Sequence, residues 1–140
     1  MTLFRPLFAA LLLLTGLAVH AVDEPPADGT QAPPVISYYA LDPDIITNYL
    51  GDSRTLGYVR VTVELMAANE GDKKIIETND PLIRDTIIRL LGSKTGDQIK
   101  SLVTREELRK ECEDKVNELL LKEAGKKAVK ALIFTKFLYQ

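Results

Sequence analysis

Between Thr55 and Ala67 the chain alternates. Gly57, Val59, Val61, Val63 and Leu65 fall on one side of an extended backbone, and Tyr58, Arg60, Thr62 and Glu64 fall on the other. A period of two over this length predicts a strand with one face on a core and the other toward water or a partner. The segment "VISYYAL", Val35 to Leu41, is rich in β-branched and aromatic residues and predicts a strand before it. Asp42-Pro43-Asp44 reads as the end of that strand, with Pro43 suited to a first helical position. "DIITNYL" then follows as one helical turn or an extended link.

From Lys73 the period lengthens. Ile75 and Ile76 open a helical stretch, and Pro81 marks a kink or a fresh helix start behind Asp80. Leu82, Ile83, Thr86, Ile87, Leu90 and Leu91 form an apolar stripe at helical spacing, and Gly92 follows where a left-handed residue commonly ends a helix. Thr104 with Glu107 three residues on predicts a capping box. The helix it opens has Leu108, Cys112, Val116, Leu119 and Leu120 as its buried stripe and Gly125 as its stop. Val129 to Gln140 predicts a last strand, apolar enough on both faces to be central or covered. Two strands, two or three helices and a final strand predict a small α+β domain, a mainly antiparallel sheet with helices packed on one face.

The first residues carry a different pattern. Arg5 precedes an apolar run from Leu7 to Val19, and Val19-His20-Ala21 places small or slim residues as a signal-peptidase site requires. Cleavage between Ala21 and Val22 is the reading, and the protein is expected to be exported to the periplasm. The run is roughly 13 residues against the about 20 of a spanning helix. Retention as an inner-membrane anchor is the alternative. Residues 22–34 hold four prolines and almost nothing apolar, which predicts an extended linker. Residues 1–21, 22–34 and 35–140 thus divide into signal, linker and folded domain.

Composition narrows the chemistry. Removing 21 residues leaves 119 of the 140, and without Arg5 the 18 basic residues become 17 against 20 acidic ones, a net charge of −3. That balance argues against a nucleic-acid partner, which demands a basic face. His20, the only histidine, lies in the signal, and Cys112 is the only cysteine. A Ser-His-Asp or Cys-His triad cannot be assembled, a structural zinc site lacks its usual ligands, and no intrachain disulfide can form. Cys112 is expected to be a small core residue. Asp42-x-Asp44 has the spacing that opens a calcium loop, but the glycine and the later glutamate are missing. The run Gly92-Ser93-Lys94-Thr95-Gly96 invites comparison with a phosphate-binding loop, yet Ser93 separates Gly92 from Lys94 and the run follows a helix. The negative end of that helix's dipole would repel phosphate. Ser93 with Lys94, or carboxylates among Glu106, Glu107 and Glu111, are the remaining candidates for catalysis. Their nearness in sequence, with Arg105, Arg109 and Lys110 interspersed, fits a solvated helix face better. No catalytic residue, cofactor, metal or small-molecule substrate is expected, and the polar face of the second strand (Tyr58, Arg60, Thr62, Glu64) is the candidate partner surface.

Several motifs, taken in order, resemble the FliL family of flagellar basal-body-associated proteins. They are the opening "YYALDPDIITNYL", the strand "YVRVTVELM", the turn "RLLGSKTGDQIKS", the helix "EELRKECEDKVNELL" and the terminal "LIFTKFLYQ". The resemblance covers Ser37 to Gln140. It implies a fold similar to stomatin-like (SPFH) domains, which assemble side by side into rings. It also implies a non-catalytic periplasmic role beside the flagellar stator, in support of motility, with self-association and contacts to basal-body proteins. Members usually begin with a basic start and a full transmembrane helix, so the short apolar run here is a departure. A periplasmic scaffold of the same fold without a flagellar role is the alternative expectation.

Overall fold

The computed structural model describes residues 35–51 and 55–140. The segments expected to be signal and linker, with Ala21 and Val22, lie outside the described residues. The described residues fall in one compact unit. Its elements are β1 (Ser37–Leu50), β2 (Leu56–Ala67), α1 (Glu70–Thr78), α2 (Asp80–Gly92), α3 (Gly96–Lys100), α4 (Leu102–Ala124) and β3 (Val129–Tyr139). The strands form one antiparallel sheet in the order β1-β2-β3, and the helices cover one face of it, the expected α+β arrangement.

The alternation in β2 sets the layer. Val59, Val61, Val63, Leu65 and Ala67 are wholly buried, as are Ile76 of α1, Ile83, Ile87 and Leu91 of α2, and Cys112, Val116 and Leu120 of α4. The predicted stripes are therefore the buried ones, with Leu82 left exposed and Leu90 and Leu119 at the rim. Burying some twenty apolar side chains this way, at ~25 cal/mol per Å² of apolar surface removed from water, is what holds the sheet against the helices.

β1 does not end at Leu41. It runs on to Leu50 through a bulge in which Asp42, Pro43 and Asp44 lie opposite the single residue Thr62. Leu41, Ile45 and Tyr49 are spaced by four like a helical stripe, yet all three are buried from a strand, opposite Val63, Val61 and Gly57. The long alternating β2 needs an equally long partner for its backbone, and the bulge restores the in-out phase after the proline. Pro43 donates no ladder hydrogen bond, and its carbonyl accepts from Arg84 Nη1 of α2 at 2.6 Å. Arg84 Nε also meets Asp80 Oδ1 at 3.0 Å, and Asp80 accepts from the Tyr39 hydroxyl at 2.9 Å. Helix α2 is thereby clamped to the bulge and to the strand just before it.

Other boundaries move for local reasons. α1 starts three residues before Lys73, because the Asn69 side chain caps the Asp72 N–H at 2.9 Å. Pro81 opens a fresh helix in its first turn rather than a kink. Gly92 stays helical, and Ser93 caps the end in a right-handed conformation. The expected left-handed stop occurs only at Gly125, with φ 71°. The capping box is made by Thr95 and Gln98 at the head of α3, while α4 is capped by Ser101, whose side chain accepts from Thr104 N. Thr104 lies inside the first turn and gives its hydroxyl to the Gln98 carbonyl at 2.8 Å. Last, β3 is an edge strand and β2 the central one. The apolar content of β3 reflects cover by α4 on one face and an open face with exposed Leu138 on the other, not two strand neighbours.

Candidate interaction surface

The open face of the sheet collects the side chains that β2 turns away from the core. Tyr58 pairs with Asn48, Arg60 lies between Ile46 and Leu138, Thr62 faces Lys136, and Glu64 lies between Ala40 and Ile133. The four residues expected at a partner surface therefore share one face. Tyr58 is itself exposed (43%), and around the four stand the exposed Tyr38 (51%), Ile46 (48%) and Leu138 (53%). Sequence alternation indicates the strand's own residues but not Ile46 or Leu138, because strand neighbours follow from pairing and not from spacing.

Two of the four are engaged within the chain. Asp44, in the bulge, accepts from Thr62 Oγ1 at 2.7 Å and from Arg60 Nε at 2.6 Å. The Thr62 hydroxyl, followed by the Arg60 guanidinium, holds the Asp44 carboxyl below the usual carboxylate range. Arg60 and Thr62 thus brace the β1 bulge. Tyr58 and Glu64 stand apart from that network, the first exposed and the second half-buried.

A second group of polar side chains with a defined task lies on α4. Arg109, Glu113 and Asn117 recur every four residues, each directly after a member of the buried stripe, which puts them at the rim facing β3. Asn117 Nδ2 donates to the Val129 carbonyl at 2.9 Å and its Oδ1 accepts from Val129 N at 3.1 Å. Glu113 Oε2 accepts from Leu132 N at 2.9 Å, and Arg109 Nη1 donates to the Leu132 carbonyl at 2.8 Å. Glu106 first and then Glu113 raise the Arg109 pKa, so this guanidinium stays charged. These side chains mimic a fourth strand along the first half of β3. Arg109 is therefore not on a solvated face, as its charged neighbours in sequence suggest. The signal for its true place is its position one step behind Leu108.

Of the candidates for catalysis, Lys94, Glu107 and Glu111 meet at one hollow, while Ser93 and Glu106 turn elsewhere. Ser93 Oγ donates to the Leu90 carbonyl of its own helix at 2.7 Å, and Lys94 Nζ turns instead to Glu111 at 2.6 Å. Glu106 is paired with Arg109. The hollow lined by Lys94, Gln98, Thr104, Glu107 and Glu111 has a volume of about 60 Å³, enough for water but not for a substrate. Burial pushes the Cys112 thiol up to about 12, which leaves it protonated and inert. Among the described residues, no group of three or more Cys, His, Asp and Glu side chains is placed to hold a metal ion, and no helix is long and apolar enough to cross a membrane.

The family model described as flagellar basal body-associated protein FliL matches residues 38–140, the whole of the sheet and its helices apart from Ser37. The chain is similar to a flagellar protein FliL of Aquifex aeolicus (strain VF5), 36% identical over 110 residues, which covers 78% of this chain and 65% of that one. It is also similar to a flagellar protein FliL of Bacillus subtilis (strain 168), 30% identical over 77 residues, 55% of this chain and 52% of the other. The chain thus spans less than two thirds of either relative's length. With a match that runs through every strand and helix, this chain belongs to the FliL family of flagellar basal body-associated proteins.

Proposed function

We propose that this chain is a non-catalytic periplasmic component of the flagellar basal body that supports stator function through self-association and protein contacts. The observation that carries this reading is the family match over residues 38–140. The engagement of Ser93 with its own helix, of Lys94 with Glu111 and of Glu106 with Arg109 supports a binding role over a chemical one. The open sheet face around Tyr58, Arg60, Thr62 and Glu64 is the surface assigned to partner contact.

Deletion of the coding region tests it. Swimming is expected to weaken most in medium of raised viscosity, where the motor works against load. Swimming unaltered under load would overturn the stator role and favour an envelope scaffold of the same fold. Intact mass in the two envelope fractions separates the modes of attachment. A chain beginning at Val22 in the soluble fraction means a free periplasmic protein that docks, and a full-length chain in the membrane fraction means a tethered one.

A further inference from the structure

The polar stripe on α4 has a fourth member at the same spacing of four. Asn117, Glu113 and Arg109 hold the backbone of Val129 and Leu132, but Arg105 does not reach the strand's backbone. Its guanidinium lies over the Phe137 ring, 4.8 Å from the centroid, and its Nε is buried with no hydrogen-bond partner. Among the described residues Arg105 joins no ion pair. Glu106 beside it is held by Arg109, and Asp44 on the other face of the sheet by Arg60 and Thr62. The exposed Lys136 adds a second positive group on that other face.

The strand next to Arg105 is also unmet. In an antiparallel edge strand every second residue points its N–H and C=O away from the sheet. Gln140 exchanges both backbone bonds with Tyr58, at 3.0 and 2.8 Å. Leu138 and Lys136, opposite Arg60 and Thr62, therefore also face β2, and Phe137 and Tyr139 face outward. Among the described residues, no side chain or loop hydrogen-bonds to the outward backbone groups of these two. Phe137 lies opposite the buried Val61, so its ring is on the helix side, where Arg105 stands.

We propose that this half of β3 receives, as an added antiparallel strand, an extended acidic segment of a protein other than this chain. Phe137 and Tyr139 exchange backbone hydrogen bonds with it, which gives affinity without regard to sequence. Specificity comes from Arg105. The incoming residue opposite Phe137 has its side chain on the same face of the sheet, and an aspartate or glutamate there supplies the carboxylate that the guanidinium lacks. Such charge-assisted bonds are roughly twice as strong as neutral ones. A second copy fits this edge poorly, because it brings its own Arg105 and Lys136 and no free acid to meet them. Residues 22–34 are acidic, with Asp23, Glu24 and Asp28 and no basic residue. They precede β1, however, whose Ser37 lines up with Ala67 and Val129 at the sealed end of β3, and their four prolines lack ladder donors. The proposal rests on the protein contacts in the proposed function and names one edge and the partner chemistry that fits it.

The test uses the purified full chain and a library of random peptides displayed on phage. Selected peptides are expected to carry an aspartate or glutamate within a proline-free stretch. A synthetic peptide of the selected consensus is then titrated by calorimetry. Arg105→Gln is expected to weaken its binding by at least about tenfold, and Arg105→Lys by less. Tyr139→Pro removes only an outward N–H and is expected to weaken binding by about tenfold, with an unchanged circular dichroism spectrum. Lys130→Gln, at the sealed end, is expected to bind as the unsubstituted chain does, which separates a local carboxylate site from general attraction to lysines. Should the variants fail to fold, hydrogen exchange of the unsubstituted chain decides: the Phe137 and Tyr139 amides become protected when the peptide binds. Selection of no peptide or of peptides without an acidic residue, amides left unprotected, or affinity indifferent to Arg105→Gln and Tyr139→Pro overturns the proposal. Equal binding by a synthetic peptide of residues 22–34 also overturns it and gives the edge to the chain's own linker. Association of the chain with itself that Tyr139→Pro abolishes overturns it in favour of a second copy. None of these results decides the motor role, which is read separately from swimming under load.

Discussion

Gly57 shows how one residue ties strand pairing to the core. It lies opposite Tyr49, whose ring is buried and whose hydroxyl donates to the Gln140 carbonyl at 3.2 Å. A Cβ on Gly57 would collide with the Tyr49 ring at Cζ and Cε2, so any side chain there displaces the ring. Gly57→Ala is expected to destabilise the fold by about 1–3 kcal/mol, as overpacking of a core does, measured as a lower denaturant midpoint. Asp44 carries the acid sensitivity of the bulge. Its folded pKa is lowered by Thr62 and Arg60 from an ordinary 3.8. The stabilisation is therefore fully present above that value and is lost as pH falls through the folded pKa. Urea titrations from about pH 5 down to about pH 2.5 are expected to show a smaller acid loss for Asp44→Asn than for the unsubstituted chain. An unchanged slope would mean that Asp44 is not the group responsible. The spacing of valines in β2 is enough to make its buried face legible. The need for glycine at 57 is not legible in the same way, because Tyr49 reaches it across a strand pairing.

Among the elements, α4 performs two tasks with adjacent stripes. Leu108, Cys112, Val116 and Leu120 form the core layer, and Arg109, Glu113 and Asn117 substitute for a strand along β3. Asn117→Ala strips both partners from the Val129 backbone, in a residue that is almost fully buried. The expected cost is about 1–3 kcal/mol for the stranded backbone groups. The uncovered edge is also expected to aggregate faster on heating, as unprotected edges do, which light scattering would register. Loss of stability without a change in aggregation would confine Asn117 to a packing role. The other helices follow their local signals with shifts set by capping competition. Thr95 and Ser101 cap α3 and α4, in place of the box predicted for Thr104 and Glu107, because each stands where its oxygen meets a free N–H.

For the whole molecule, the single thiol reports on cooperativity. Cys112 is wholly buried between the sheet and the helices, and desolvation pushes its thiol up to about 12. Its reaction with a thiol reagent is expected to be negligible at neutral pH and to appear along the same denaturant curve as loss of helix signal, the mark of an all-or-none transition. Labelling well before that transition would reveal local opening of α4. The same arrangement explains how family membership sits on the fold. Helices insulate one sheet face, and the other leaves Tyr38, Ile46, Tyr58 and Leu138 exposed.

Periodicity, composition and motif order are local along the chain. From them alone follow the three strands and the helices other than α3, the buried faces of β2, α2 and α4, the exclusion of histidine- and cysteine-based chemistry, and the resemblance to the family. Folding in three dimensions settles the rest: β1 continues through Asp42-Pro43-Asp44, β2 is the central strand, and Arg60 and Thr62 brace a bulge. The first half of the β3 edge is sealed by Arg109, Glu113 and Asn117 of α4 for the same reason. Each of these depends on which backbone groups meet across the sheet, and pairing between distant residues leaves no periodic trace in either partner.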